Sequence, residues 1–207
     1  MRLALMASGA GSNVEVLLSE KQAGNLPLVD WAILACDRPD APVIQKASSK
    51  GLKTWVQSPS EFDNKTHYEK SLHLVLREQE VDGIVLAGYM RLIGPTLLEH
   101  WQGRIINLHP SLLPSFPGQQ SIYDALQHRV KLTGCTVHFI DEGVDTGPII
   151  AQESVPIFSA DTPETLAKRI HVAEHSLLPK TVGRWSEGGF YLKDKIVHFV
   201  DEVGETI

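Results

Sequence analysis

The stretch RLALMASGAGSNVEVLLSEKQA, residues 2–23, decides the fold. RLALMA reads as a short buried strand, being apolar after its first residue. NVEVLLSEKQA repeats apolar residues at helical spacing and is stopped by Gly24. Between them SGAGSN, residues 8–13, is a glycine turn. A strand, a glycine turn and a helix in that order open a parallel α/β sheet. The same context argues against a signal peptide, since the apolar run is short and leads straight into a turn and a helix.

Outward from that stretch the alternation continues. LVDWAILAC, LKTWV, GIVLAG and RIINL read as further strands. APVIQKASSK reads as a helix ended by Gly51, and GPTLLEHW as a short helix. SEFDNKTHYEKSLHLVLREQE reads as a long helix with Ser60 or Asp63 as N-cap. After residue 130 the pattern changes. CTVHFI and PIIAQESVPI are strands joined by DEGVDTG, too short for a helical crossover, so they pair antiparallel. DTPETLAKRIHVAEHSLL is a helix with Thr162 as N-cap, Pro163 in its first turn and a core stripe of Leu166, Ile170, Ala173 and Leu177. FYLKDKIVHFV is a closing hairpin around Lys193 and Asp194. The expected fold class is α/β, a Rossmann-like parallel half continuing into a mixed sheet with an antiparallel C-terminal extension. The 207 residues are expected to form one domain, 1–207, with halves at 1–103 and 104–207.

Composition excludes several classes. With 43% hydrophobic and 21% charged residues the chain is an ordinary globular one. A net charge of -6 lacks the basic footprint of a nucleic-acid binder, though it allows one local anion site. Two cysteines, Cys36 and Cys135, are too few for a disulfide framework and point to a reducing, cytoplasmic setting. No apolar run reaches the ~18 residues of a membrane span.

Four stretches carry candidate chemistry. SGAGSN crowds backbone N–H groups at a helix N-terminus, where a phosphate is attracted; the bland alternative is a turn capped by Ser12 or Asn13. A dinucleotide fingerprint would need glycine at Val14, although Asp37 stands where a ribose-binding acid would. NLHPSLLPSFPG, residues 107–118, puts Asn107 and His109 two apart, hence on one side at a strand's carboxyl end, with trans-prolines restricting the exit. DEGVDTGP sets Asp145 in a tight turn, where it bonds its own backbone or reaches His109. HVAEH, residues 171–175, matches an inverted zinc-protease string with His171 and His175 one turn apart; a third ligand would have to come from Glu187, Glu202 or Glu205.

Taken together, SGAGSN, AGYMRLI, NLHPSLLPSFPG, DEGVDTGP and AEHSLLP occur in an order and spacing that closely resemble the phosphoribosylglycinamide formyltransferases across nearly the whole chain. The resemblance implies the formyltransferase fold, 10-formyltetrahydrofolate as donor and glycinamide ribonucleotide as acceptor, in purine synthesis. It implies a catalytic trio of Asn107, His109 and Asp145, a phosphate loop of Gly11, Ser12 and Asn13, and Glu174 on the acceptor's ribose. The folate contacts it implies are Lys65, Met90, Arg91, Leu92, Ile93, Asn107, Asp141 and Val144. No metal, nucleic acid or membrane is implied, and the protein is expected to be a monomer or weak homodimer. Lys65 stands where some members carry arginine, which keeps the charge and loses the planar fork. PGQQSIYDAL departs from the family's versions of that loop at Gln119 and Gln120. Among relatives, methionyl-tRNA formyltransferase needs an added domain and a basic surface. Formyltetrahydrofolate deformylase usually carries an N-terminal regulatory domain, whereas here the catalytic pattern begins at residue 3. A non-catalytic folate binder would not need the trio.

Overall fold

The computed structural model describes residues 1–200, and its backbone forms two compact units, Met1–Ile106 and a second from Asn107 onward. In the first, β1 (Arg2–Ala7), β2 (Asp30–Cys36), β3 (Thr54–Val56), β4 (Gly83–Leu86) and the start of β5 (Ile105–His109) lie in the order β3-β2-β1-β4-β5. β1 runs parallel to β2 and β4, and β2 parallel to β3. The intervening helices are α1 (Ser12–Gln22), α2 (Val43–Ser49), α3 (Lys65–Glu78) and α4 (Pro95–Trp101). Parallel strands covered on both faces must be apolar on both sides, and Leu3 to Met6, Ile84 and Val85 are all completely buried. β1 lies where the strand order reverses, with β2 on one side and β4 on the other. The loops leaving β1 and β4 therefore open the crevice in which such sheets bind ligands.

Local corrections have identifiable causes. α3 starts at Lys65 and is capped by Asn64, not Ser60 or Asp63: Asn64 is extended and its Oδ1 accepts from the His67 N–H at 3.0 Å. Pro59–Glu61 instead make a single 3-10 turn.

In the second unit the order is β5-β6-β7, and β6 (Leu132–Phe139) and β7 (Ile149–Pro156) are antiparallel as expected. A short helix, α5 (Ser121–Gln127), occupies part of what reads in sequence as loop. The Leu113–Pro114 bond is cis, against the expected trans-prolines. α6 (Pro163–Ser186) has the expected Thr162 cap, closed into a box with Thr165, but runs on to Ser186 through Pro179. Its buried stripe is Leu166, Ile170, Glu174, Leu178 and Val182, with Ala173 and Leu177 only half-buried. That stripe continues past the proline, and burying Val182 and Trp185 outweighs the lost helical bond. The hairpin of β8 (Phe190–Lys193) and β9 (Ile196–Phe199) turns at Asp194 and Lys195, one residue later than expected. Both have positive φ, as a two-residue turn matching the strand twist demands.

Candidate active site

The turn after β1 ends in Gly11, which is the N-cap of α1 at φ 70 with no side-chain cap bond. Neither Ser12 nor Asn13 is the cap, so the first-turn N–H groups of α1 are not covered in the way the bland reading required. A Cβ at Gly11 would stand 2.3 Å from Val43 Cγ2, so glycine is required by both space and φ. The dinucleotide reading loses its acid. Asp37 is 2% exposed and its Oδ2 accepts from Arg91 Nε at 2.6 Å, while Val14 is fully buried where a third glycine would be.

Five of the expected folate contacts come together in this unit. Lys65, Met90, Arg91, Leu92 and Ile93 line a cavity of about 600 Å³ with Tyr68, Glu69 and Tyr89. Met90 and Leu92 are 56% and 62% exposed, so the wall presents large apolar side chains to the cavity. Lys65 Nζ lies 3.8 Å from Glu69. The Tyr68 and Tyr89 hydroxyls are 3.2 Å apart, and burial pushes Tyr68 up to about 12 and Tyr89 upward as well, so both stay neutral.

In the second unit β5 delivers Asn107 and His109, and the loop after β6 delivers Asp145. His109 is 4% exposed and held on both ring nitrogens. Nε2 donates to the Phe116 carbonyl at 2.9 Å, since a carbonyl only accepts, and Nδ1 faces Asp145 Oδ2 at 3.3 Å. Asp145 Oδ2 also accepts the Gly118 N–H at 2.7 Å. Asp145 thus reaches His109 and is no mere turn residue. Phe116 and Asp145 both sit in the left-handed region, at φ 56 and 53, so the two residues gripping the ring carry backbone strain.

One member of this cluster escapes sequence reading. His138, on β6, is completely buried, and burial lowers its pKa below the ordinary 6.5. Its Nδ1–H donates to the Phe139 carbonyl at 2.9 Å, so Nε2 of the neutral ring is an acceptor. Asn107 Nδ2 donates to it at 3.1 Å, and Asp145 Oδ1 lies 3.7 Å away. His138 therefore fixes which way the Asn107 amide points. The available signal was a histidine near the carboxyl end of a buried strand, the same station that Asn107 and His109 occupy on theirs.

The other expected residues are placed as follows. Glu174 is 3% exposed and accepts from His171 Nδ1 at 2.7 Å, a bond that raises the His171 pKa. Asp141 Oδ1 accepts from the Gly143 N–H at 3.0 Å and from Thr146 Oγ1 at 2.7 Å, shaping the loop that exposes Val144. Gln120 is the N-cap position of α5. The zinc reading finds no support: among the described residues no group of three or more metal-ligating side chains is assembled, and Glu202 and Glu205 lie outside those residues. Among the described residues no helix is long and apolar enough to cross a membrane.

The family described as formyl transferase matches residues 1–182. Phosphoribosylglycinamide formyltransferase of Bacillus subtilis is 45% identical over 181 residues, covering 87% of this chain and 92% of that protein. Glycinamide ribonucleotide transformylase 1 from Symbiobacterium toebii superposes with a TM-score of 0.94 at 37% identity, over 97% of this chain and 94% of that one. The trifunctional purine biosynthetic protein adenosine-3 of Homo sapiens is 38% identical over 179 residues; the match takes in 86% of this chain but only 18% of that longer protein.

Proposed function

The chain belongs to the formyl transferase family, and from that premise we propose that it transfers a formyl group from 10-formyltetrahydrofolate to the amine of glycinamide ribonucleotide, in purine biosynthesis. The observation that carries the proposal is the cluster of Asn107, His138, Asp145 and His109 in the second unit, in which His138 takes the Asn107 amide at 3.1 Å and the Asp145 carboxylate lies 3.3 Å from His109 and 3.7 Å from His138. In the reaction the acceptor's amine attacks the formyl carbon and the carbonyl oxygen becomes negative. The bond from that carbon to the folate nitrogen then breaks, and the proton lost by the amine passes to that nitrogen.

Each residue has a role in that sequence. One hydrogen of the Asn107 amide is held by His138, which leaves the other to donate to the developing oxyanion. His109 exchanges the Phe116 carbonyl for the substrate oxygen, with Asp145 holding the far side of its ring throughout. Asp145, through His109 or an ordered water, handles the transferred proton. Gly11, Ser12 and Asn13 present backbone N–H groups to the acceptor's phosphate, and Glu174 accepts from its ribose. Lys65 and Met90 to Ile93 hold the folate in the first unit, and Asp141 and Val144 are the further folate contacts that the family resemblance implies. We place the protein in the cytoplasm as a single domain, monomeric or weakly dimeric, working without a metal.

The test is direct. The purified protein is mixed with 10-formyltetrahydrofolate, with and without glycinamide ribonucleotide. Loss of the formyl group only with the acceptor supports transfer, and equal loss without it means hydrolysis and a deformylase.

A further inference from the structure

The segment Met90–Ile93, on which the donor-site reading rests, has no regular secondary structure, yet it forms a wall of the 600 Å³ cavity. An irregular wall binds a flat ring well only if it is held before the ligand arrives. Two buried carboxylates from elsewhere in the first unit hold it. On one side Asp37, just past β2, takes Arg91 Nε at 2.6 Å. Asp37's side chain is 1% exposed, and among the described residues its other oxygen, Oδ1, has no hydrogen-bond partner. A desolvated carboxylate with one charged bond has a strong reason to keep it, because releasing Arg91 would leave the charge unpaired. On the other side Glu69, from α3 and 4% exposed, accepts from the Gly94 N–H at 2.6 Å and the Leu97 N–H at 3.3 Å. It thereby satisfies the first turn of α4 and fixes where the segment ends. One residue ahead of Arg91, at the start of the segment, the Met90 N–H donates to Ser8 Oγ at 2.9 Å.

We propose that Asp37 and Glu69 are positioning residues for formyl-donor binding, clamping Met90–Ile93 from its two ends. Neither is part of the catalytic cluster, and neither is assigned to folate by the family resemblance. Arg91 also lines a second cavity of about 490 Å³ with Ser8, Asp37 and Arg38, so space exists for its side chain to swing into if the pin is removed. The clamp has two consequences. Donor affinity depends on Asp37, which does not line the 600 Å³ cavity, as well as on Glu69, which does, and the Asp37 effect passes entirely through Arg91.

The experiment measures tetrahydrofolate affinity by equilibrium titration, and donor KM, acceptor KM and kcat by steady-state kinetics. The proteins are the full-length wild type, Asp37→Asn, Glu69→Gln, Arg91→Gln and Asp37→Asn/Arg91→Gln. Each acid-to-amide change keeps the shape and removes the charge. Removing a charge-assisted bond that holds a binding segment should weaken folate binding and raise donor KM about tenfold in either acid variant, with acceptor KM and kcat within about twofold. The double variant should lose no more than Arg91→Gln alone, a coupling that general destabilisation does not produce. If Asp37→Asn fails to fold, Glu69→Gln alone decides, by the same split between donor KM and kcat. Wild-type affinity for folate in the folded acid variants, or additive losses in the double variant, overturns the clamp. Wild-type protein that binds no folate overturns the donor-site reading instead, so the two failures are distinct.

Discussion

Replacing His138 by leucine tests the least visible part of the cluster. The ring supplies two bonds: Nδ1–H to the Phe139 carbonyl and the Nε2 lone pair to the Asn107 amide. Leucine fills a similar volume and supplies neither. A buried polar group stripped of its partner costs about 1–3 kcal/mol, and because Asn107 is half-buried and partly reached by water the total should fall near the lower end. The catalytic effect is separate. Asn107 keeps its side chain but loses the partner that orients it, so the loss should be smaller than the ~10²–10³ expected for deleting an oxyanion donor, about tenfold to a hundredfold in kcat. A pH series adds a check on sign. His138 has a folded pKa below 6.5, so between that lower value and 6.5 the unfolded chain binds more protons than the folded one. The contribution of His138 to wild-type stability therefore falls as pH drops through that window, by up to about 1.4 kcal/mol per pH unit. The variant lacks this slope. The assays are kcat by single-turnover formyl transfer and urea unfolding between pH 5 and 7.5. Wild-type kcat in a folded His138→Leu protein would refute the orienting role, and an unchanged acid slope would refute the buried neutral ring.

The remaining predictions are shorter. Asn107→Ala should lower kcat by ~10²–10³ with both substrate affinities little changed, as judged by steady-state kinetics. Gly11→Ala should destabilise the fold by about 1–3 kcal/mol in urea unfolding, because φ is 70 and Val43 lies in the way, whereas Gly9→Ala, with open space around it, should be near neutral. The dephosphorylated nucleoside should be a poorer acceptor by about two orders of magnitude in kcat/KM, as three charge-assisted N–H bonds are lost; equal efficiency would reduce residues 11–13 to a turn. In NMR titrations His138 should protonate below 6.5 and His171 above it, and Glu174→Gln should bring His171 back down, since the bond to Glu174 is the main cause of its rise.

Sequence revealed what depends on pattern and hid what depends on neighbours distant in the chain. The α/β alternation was legible because each parallel strand is a near-continuous apolar run, and the Thr162 cap was legible because its signature is local. α5 was not: seven residues after a glycine- and proline-rich stretch give too little period to see. The end of α6 was misread because Pro179 is a stop signal locally, while the burial that overrides it comes from tertiary packing. Asp145 stood undecided between turn and catalytic partner because the choice rests on His109, 36 positions earlier in the chain. Asp37 drew notice for the wrong reason. It is indeed an acid past the second strand, but its partner is Arg91, which no local rule could supply.

The buried polar groups explain why the loops here are irregular and yet fixed. Ser8, Asp37, His109, Ser111 and His138, at or near strand ends, are all buried, as are Glu69 on α3 and Thr136 within β6, whose side chains bond the loops beside them. Each must find partners or destabilise the fold, so each is a constraint on nearby backbone. Thr136 Oγ1 donates to the Ser111 carbonyl at 2.6 Å and accepts from the Leu113 N–H at 3.1 Å, while Ser111 Oγ donates to the Ser115 carbonyl at 2.6 Å. The stretch that follows His109 is thereby tied down, and the strained Phe116 backbone persists because its carbonyl takes both His109 Nε2 and Ser111 Oγ. A hydrophobic replacement of Thr136 or Ser111 could leave the sheet intact while letting Phe116 relax to negative φ and release His109. The polar core around β5 and β6 thus keeps the His109 ring in one orientation, between the Phe116 carbonyl and the Asp145 carboxylate.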